Sequence, residues 1–221
     1  MYRINNERTY LEVKNRKSSL KIALEGAHIF HFQRKSDDTP LLFLSKDTLF
    51  KKGVPLRGGI PICWPYFGKH PTNPSLPNHG FARTSLWKHD ETKHLDKDTT
   101  SIHFTLESSK ESLATFAYEF TLHLEIRMSD TLALTLTTTN TSKKAFTITQ
   151  ALHTYLHVND SKEVSIEALN GCRYYDKVDN SYDNIQNTPL LFNKEIDRIY
   201  QNVAQTLKIV DSKRCLHVTS K

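Results

Sequence analysis

Over most of this chain apolar and polar residues alternate one by one, the period-two signature of strands that bury a single face. Leu20, Ile22 and Leu24 alternate with Lys21, Ala23 and Glu25. Residues 9–33 therefore read as two strands, T-Y-L-E-V-K and S-L-K-I-A-L-E-G-A-H-I-F-H-F, with Gly26 as a turn or bulge in the second. Residues 40–44 form a short apolar strand. The alternation is most regular further on, where Tyr118, Phe120, Leu122, Leu124, Ile126 and Met128 share one face and Glu119, Thr121, His123, Glu125 and Arg127 the other. The next strand turns Leu132, Leu134 and Leu136 inward and Thr135, Thr137 and Thr139 outward, and threonine suits a pleated, half-exposed surface. Residues 140–144 make a turn before a last long strand, F-T-I-T-Q-A-L-H-T-Y-L-H-V, over 146–158. The polar run 88–100 reads as a solvated hairpin tip, with surface roles for His89 and His94. Helix period is weak everywhere, with one short candidate at 108–114. The expectation is an all-β fold, an antiparallel β-sandwich, forming a single domain over residues 1–221.

One stretch breaks the alternation. Residues 57–83, R-G-G-I-P-I-C-W-P-Y-F-G-K-H-P-T-N-P-S-L-P-N-H-G-F-A-R, are crowded with proline and glycine and can be neither a helix nor an interior strand. Loops of this length are usually functional or disordered, and the aromatic content of this one argues for order. It is predicted to be a rigid loop, bracketed by Arg57 and Arg83 and carrying His79. Such a loop suits a small anionic ligand with an apolar face. It would equally serve as a structural cover packed down by Trp64, Tyr66 and Phe67.

Composition narrows the class. The chain has 221 residues with 38% hydrophobic content, enough for a sizeable core. No apolar run reaches the ~18 residues of a membrane span, and the N-terminus lacks the apolar segment of a signal peptide. Cys63, Cys172 and Cys215 are widely spaced and unpaired in pattern, which argues against a disulfide framework or a zinc site. A cytoplasmic protein with no membrane partner is expected. The net charge of +6 is scattered in ones and twos rather than gathered in a stripe, so nucleic acid is not expected as a partner and small anions are.

Chemistry concentrates at two places. Period two puts Ala151, His153, Tyr155 and His157 on one face of the last strand. A histidine there can act as a general acid, or the three rings can bond among themselves or to loop backbone. His153 and His157 would lie ~13 Å apart along a strand, too far to share an ion, so no metal is expected. Arg57 and Arg83 have the fork geometry that grips phosphate, or they make ordinary surface ion pairs. Trp64 and Tyr66 either stack on a sugar face or fill the core beneath the loop.

The blocks R-G-G-I-P-I-C-W-P-Y-F-G and N-H-G-F-A-R, in this order and spacing, resemble the hexose-6-phosphate mutarotases. These are the glucose-6-phosphate 1-epimerase branch of the aldose 1-epimerase superfamily. The resemblance implies a sandwich of the galactose mutarotase-like type and an isomerase that interconverts the α and β anomers of a hexose-6-phosphate by acid/base ring opening. It implies no cofactor and no metal. In A-L-H-T-Y-L-H-V it implies His153 as the catalytic acid. His79 would hold substrate, Arg57 and Arg83 would bind the phosphate, and Asn78 would stand where the family usually has a glutamine contact. Asp197 in E-I-D-R-I-Y matches the substrate-binding aspartate, with Asp176 a weaker match. The family's general-base glutamate lies well beyond that aspartate, and here no glutamate follows Glu195. The chain is therefore expected to lack the family's last quarter, to leave sheet edges open to a homodimer, and to have either a substitute base or a binding role without turnover.

Overall fold

The computed structural model describes residues 1–220, which form two compact units, residues 1–157 and the described residues from 158 onward. Its regular secondary structure is nearly all β, in antiparallel sheets.

The first unit contains two four-stranded sheets. One is a meander of β1 (Tyr2–Asn5), β2 (Arg8–Lys14), β3 (Ser18–Ala23) and β4 (His28–Arg34). Between them in sequence and the second sheet lies β5 (Ile62–Cys63), inside the loop rich in proline and glycine. The second sheet runs in order through β6 (Lys88–His94), β7 (Thr100–Glu107), β8 (Phe120–Met128) and β9 (Leu132–Asn140). A two-residue strand, β10 (Ala151–Leu152), pairs with β5.

The predicted alternation sets the layers. Phe120, Leu122, Leu124, Ile126 and Met128 on β8 are all buried and share one core with Leu20, Ile22 and Phe32 of the first sheet. Leu132, Leu134 and Leu136 of β9 pack against that core but remain half exposed, as an edge strand allows. The second predicted strand divides at Gly26 into β3 and β4, because Gly26 and Ala27 take positive φ and reverse the chain. The helix at 108–114 is present as α1 (Lys110–Thr115), capped by the Ser109 side chain in a reciprocal pair with Ser112.

Three expectations change. Residues 88–94 form strand β6, and the reversal lies beyond it at 95–99. Its polar composition reflects an edge position, paired on one side to β7. His89 bonds Tyr2 and Thr92 there. Residues 40–44 make only isolated bridges, Leu42 to Leu156 and Leu44 to Gly58. The long strand 146–158 has only Ala151–Leu152 in regular pairing. The rest is extended chain whose N–H groups are taken by loop carbonyls: Thr149 donates to Pro65, His153 to Pro61, Tyr155 to Gly59 and His157 to Leu41.

The second unit has two small antiparallel sheets. In one, β12 (Arg173–Asp176) lies between β13 (Ser181–Ile185) and β15 (Arg198–Tyr200), and Asp176, Arg198, Gln186 and Tyr200 form a bonded network on it. The other contains β11 (Ser165–Glu167), β14 (Leu190–Leu191), β16 (Thr206–Val210) and β17 (Cys215–Thr219).

Candidate functional site

The pairing of β5 with β10 brings the loop 57–83 against the segment that carries His153. Because His153 donates its backbone N–H to Pro61 at 3.1 Å and Tyr155 donates to Gly59 at 2.9 Å, the imidazole is fixed to the loop by main chain. The tip of the loop is folded back by a similar device. The Trp64 carbonyl accepts from Phe81 at 3.1 Å and Ala82 at 3.3 Å, and Gly80 bridges Trp64. Gly80 has φ +68°, and a Cβ on it would stand 2.0 Å from the Trp64 oxygen, so only glycine fits.

That fold-back presents His79. Its φ of 69° lies in the left-handed region, which a non-glycine residue adopts only when its surroundings hold it there. The clamp is visible: the His79 N–H donates to the Gly68 carbonyl at 2.7 Å, and the Gly68 N–H donates to His79 Nδ1 at 3.1 Å. Nδ1 is therefore an acceptor, and the neutral ring carries its proton on Nε2.

Phe67 forms a triangle of rings with the two histidines. Its ring centroid is 4.9 Å from that of His79 and 5.9 Å from that of His153, nearly parallel to the latter at 28°. Its backbone N–H is held by Thr149 Oγ1 at 2.9 Å, and its ring is exposed. The His79 and His153 centroids are 6.2 Å apart, and the Tyr155 ring lies 4.8 Å from that of His153. The His153 Nδ1 is buried without a hydrogen bond, which leaves Nε2 as the nitrogen able to meet a ligand.

Of the two aromatics suggested as stacking surfaces, Trp64 is wholly buried, against Phe81, Phe116 and Phe120. Its role is core. Tyr66 donates its hydroxyl to the Pro77 carbonyl and meets His70 edge-on, bracing the loop. Phe67 is the exposed ring beside the histidines. Sequence alone offered no means to choose, since W-P-Y-F places three aromatics within four residues.

The arginines stand on the same loop. Arg83 donates from Nη2 to the Asn78 carbonyl at 2.7 Å, while its Nε is buried with no hydrogen bond. Burial raises the Cys63 thiol and the Tyr66 phenol, and the Arg83 charge opposes that rise at both. Arg57 is exposed, and its backbone carbonyl is fixed by Ser45 N–H and Thr48 Oγ1. Neither guanidinium pairs with a carboxylate among the described residues. Asn78, exposed, meets Arg83 through its backbone oxygen. His28 was not singled out by the sequence, which offered only a histidine at a strand start. It is completely buried and bonds the Gly58 carbonyl at 2.7 Å.

Asp197 and Asp176 belong to the second unit. Asp197 pairs with Lys177 at 2.7 Å. Asp176 pairs with Arg198 at 2.8 Å, and the bonds from Arg198 and the Val178 N–H hold its carboxyl below the ordinary range.

Comparison with known proteins gives the family and the fold. The aldose 1-epimerase family model matches residues 9–221. A proposed glucose-6-phosphate 1-epimerase of Escherichia coli (strain K12) is 37% identical over 181 residues, covering 81% of this chain and 59% of that protein. The chain thus spans about three-fifths of the length of that relative. The crystal structure of YeaD, a proposed mutarotase from Salmonella typhimurium, superposes with a TM-score of 0.91 at 31% identity, over 99% of this chain and 72% of that one. A galactose mutarotase-like protein from Lactobacillus casei shares the fold alone, with a TM-score of 0.67 at 17% identity, over 93% of this chain and 76% of its own. With a galactose mutarotase-like fold and a family match over nearly its whole length, the chain belongs to the aldose 1-epimerase family.

Proposed function

We propose that this chain binds a hexose-6-phosphate and takes part in interconverting its α and β anomers, with His153 as the general acid. The observation that carries the reading is the cluster of Phe67, His79 and His153 beside a loop whose two arginines have no carboxylate partner among the described residues. A pyranose has an apolar C–H face suited to an exposed aromatic ring, and its phosphate suits guanidinium groups. The name of the Escherichia coli relative, a glucose-6-phosphate 1-epimerase, supports the same substrate class.

In this reading His153 Nε2 gives a proton to the ring oxygen as the anomeric hydroxyl loses one to a carboxylate. The C1–O5 bond breaks, an open-chain aldehyde forms, and rotation about C1–C2 presents its other face. Reclosure returns both protons, so atoms and charge balance and no electrons are exchanged. His79 Nε2–H is a donor suited to a sugar oxygen. General acid catalysis by one positioned group contributes ~10²–10⁴-fold.

A second reading, binding without turnover, is favoured by one observation. Asp176 and Asp197 are each paired with a cation, and the Asp176 carboxyl, held low by Arg198, is a weak proton acceptor. Anomer exchange of glucose-6-phosphate, followed by saturation-transfer NMR, separates the two. Exchange accelerated by the protein and lost in His153→Ala supports turnover. Exchange at the spontaneous rate, with binding retained, supports the binding role. Absence of binding overturns both.

A further inference from the structure

We propose that the turn Gly26–Ala27–His28 is the brace that sets the two phosphate-facing arginines, with His28 as a positioning residue. The inference rests on the reading of Arg57 and Arg83 as an anion clamp.

The turn touches the backbone of both arginine segments. On one side Gly26 N–H donates to the Ser85 carbonyl at 2.7 Å, and Leu24 accepts from Trp87 N–H at 3.0 Å. Gly26 lies so close to Arg83 that a Cβ would come within 2.5 Å of its carbonyl oxygen. On the other side the His28 ring donates from Nε2–H to the carbonyl of Gly58, the residue after Arg57. A Cβ on Gly59 would lie 2.8 Å from His28 Nε2 and 2.3 Å from the Ile29 oxygen. Gly58 and Gly59 have φ +124° and +68°, so this dipeptide has no intrinsic preference for the path it takes and depends on its neighbours to define it. His28 is a buried neighbour whose side chain supplies a bond to it.

The same stretch of loop connects to the segment of His153, since Gly59 accepts from Tyr155 N–H and Pro61, two residues on, from His153 N–H. A rigid imidazole behind the loop is therefore well placed to fix the backbone from which Arg57 projects, without touching the ligand. A simpler role, in which His28 only fills core volume, predicts a different response to substitution.

The test uses His28→Leu, which keeps most of the volume and removes the donor, and His28→Gln, which keeps an N–H. The full chain is titrated with glucose-6-phosphate, inorganic phosphate and glucose by calorimetry. Loss of one buried bond and the resulting freedom of Arg57 should weaken glucose-6-phosphate and phosphate binding about tenfold in H28L. Glucose binding should stay as in wild type, and H28Q should recover most of the loss. In an Arg57→Ala background H28L should add nothing, because the residue it positions is gone. Phosphate affinity unchanged in H28L, or an equal loss with and without Arg57, overturns the proposal. Should H28L not fold, the unmodified chain carries the test: the bonded Nε2–H resonance of His28 shifts as inorganic phosphate is added, and a resonance that stays fixed overturns the brace. Binding of phosphate but not glucose-6-phosphate would refute the sugar-phosphate reading while leaving the brace testable. Binding of neither refutes both.

Discussion

The rings of Phe67 and His153 lie nearly parallel, at 28° and with centroids 5.9 Å apart, although 86 positions separate them in sequence. Their backbones come from different elements, and Thr149 Oγ1 and the Pro61 carbonyl hold them in register. Phe67 is exposed, so its ring contributes little to folding and is available to a ligand.

Phe67→Ala should therefore cost under ~1 kcal/mol of stability. It should weaken glucose-6-phosphate binding about tenfold through the lost stacking surface. Trp64→Ala, in the core beneath the same loop, should cost ~3–5 kcal/mol. Paired denaturant titrations and calorimetry check both. A Phe67→Ala protein that binds as wild type does would remove the ring from the site.

The arginines should act through the phosphate alone. Arg57→Ala and Arg83→Ala should each weaken glucose-6-phosphate binding ~10–100-fold, the worth of a charge-assisted bond. Neither should alter affinity for glucose. Arg83→Lys should recover little, since a single ammonium cannot both reach the Asn78 carbonyl and grip two phosphate oxygens. Equal losses for glucose and its phosphate would show that the substitutions disturb the loop instead.

Two glycines in the loop should respond differently to alanine. Gly80→Ala places a Cβ 2.0 Å from the Trp64 oxygen and must move the fold-back that presents His79. A loss of ~3 kcal/mol or more is expected. At Gly68, with φ +84°, nothing lies within 4 Å of the new Cβ, so only the left-handed backbone is penalised, at ~1 kcal/mol. Thermal unfolding of the two variants measures the difference directly.

His28 gives the protein an acid-sensitive point. Burial, opposed by the Gly58 bond and reinforced by Arg8 and Arg83, lowers its pKa from 6.5 to about 4. The unfolded chain therefore binds a proton between these values that the folded chain does not. Stability from this group is complete above pH 6.5 and falls as the pH drops toward 4, by up to about 3 kcal/mol. Urea unfolding at pH 7.5 and pH 4.5 should show the slope, and H28L should flatten it. A slope of the same size in H28L would assign the acid sensitivity elsewhere.

The extent to which the sequence disclosed this protein differs from element to element. Phe120 to Met128 announced their buried face because burial on one side of a strand imposes strict alternation, and nothing in tertiary structure altered it. Residues 88–94 carried no such signal, because an edge strand can face water and still take its hydrogen bonds from a neighbour. The segment 146–158 read as one long strand. Its partners proved to be loop carbonyls at Pro65, Pro61, Gly59 and Leu41, which no local pattern encodes.

By itself the sequence determined the all-β class and marked off the loop 57–83, and it offered His79, His153, Arg57 and Arg83 as candidates, because alternation, proline chemistry and motif spacing are local properties. Only the tertiary structure decided which aromatic was core and which was exposed. It also revealed His28 behind the arginine loop and the commitment of Asp176 and Asp197 to cations in the second unit. Those outcomes depend on what lies across a contact from each side chain, and residues distant in sequence supply it.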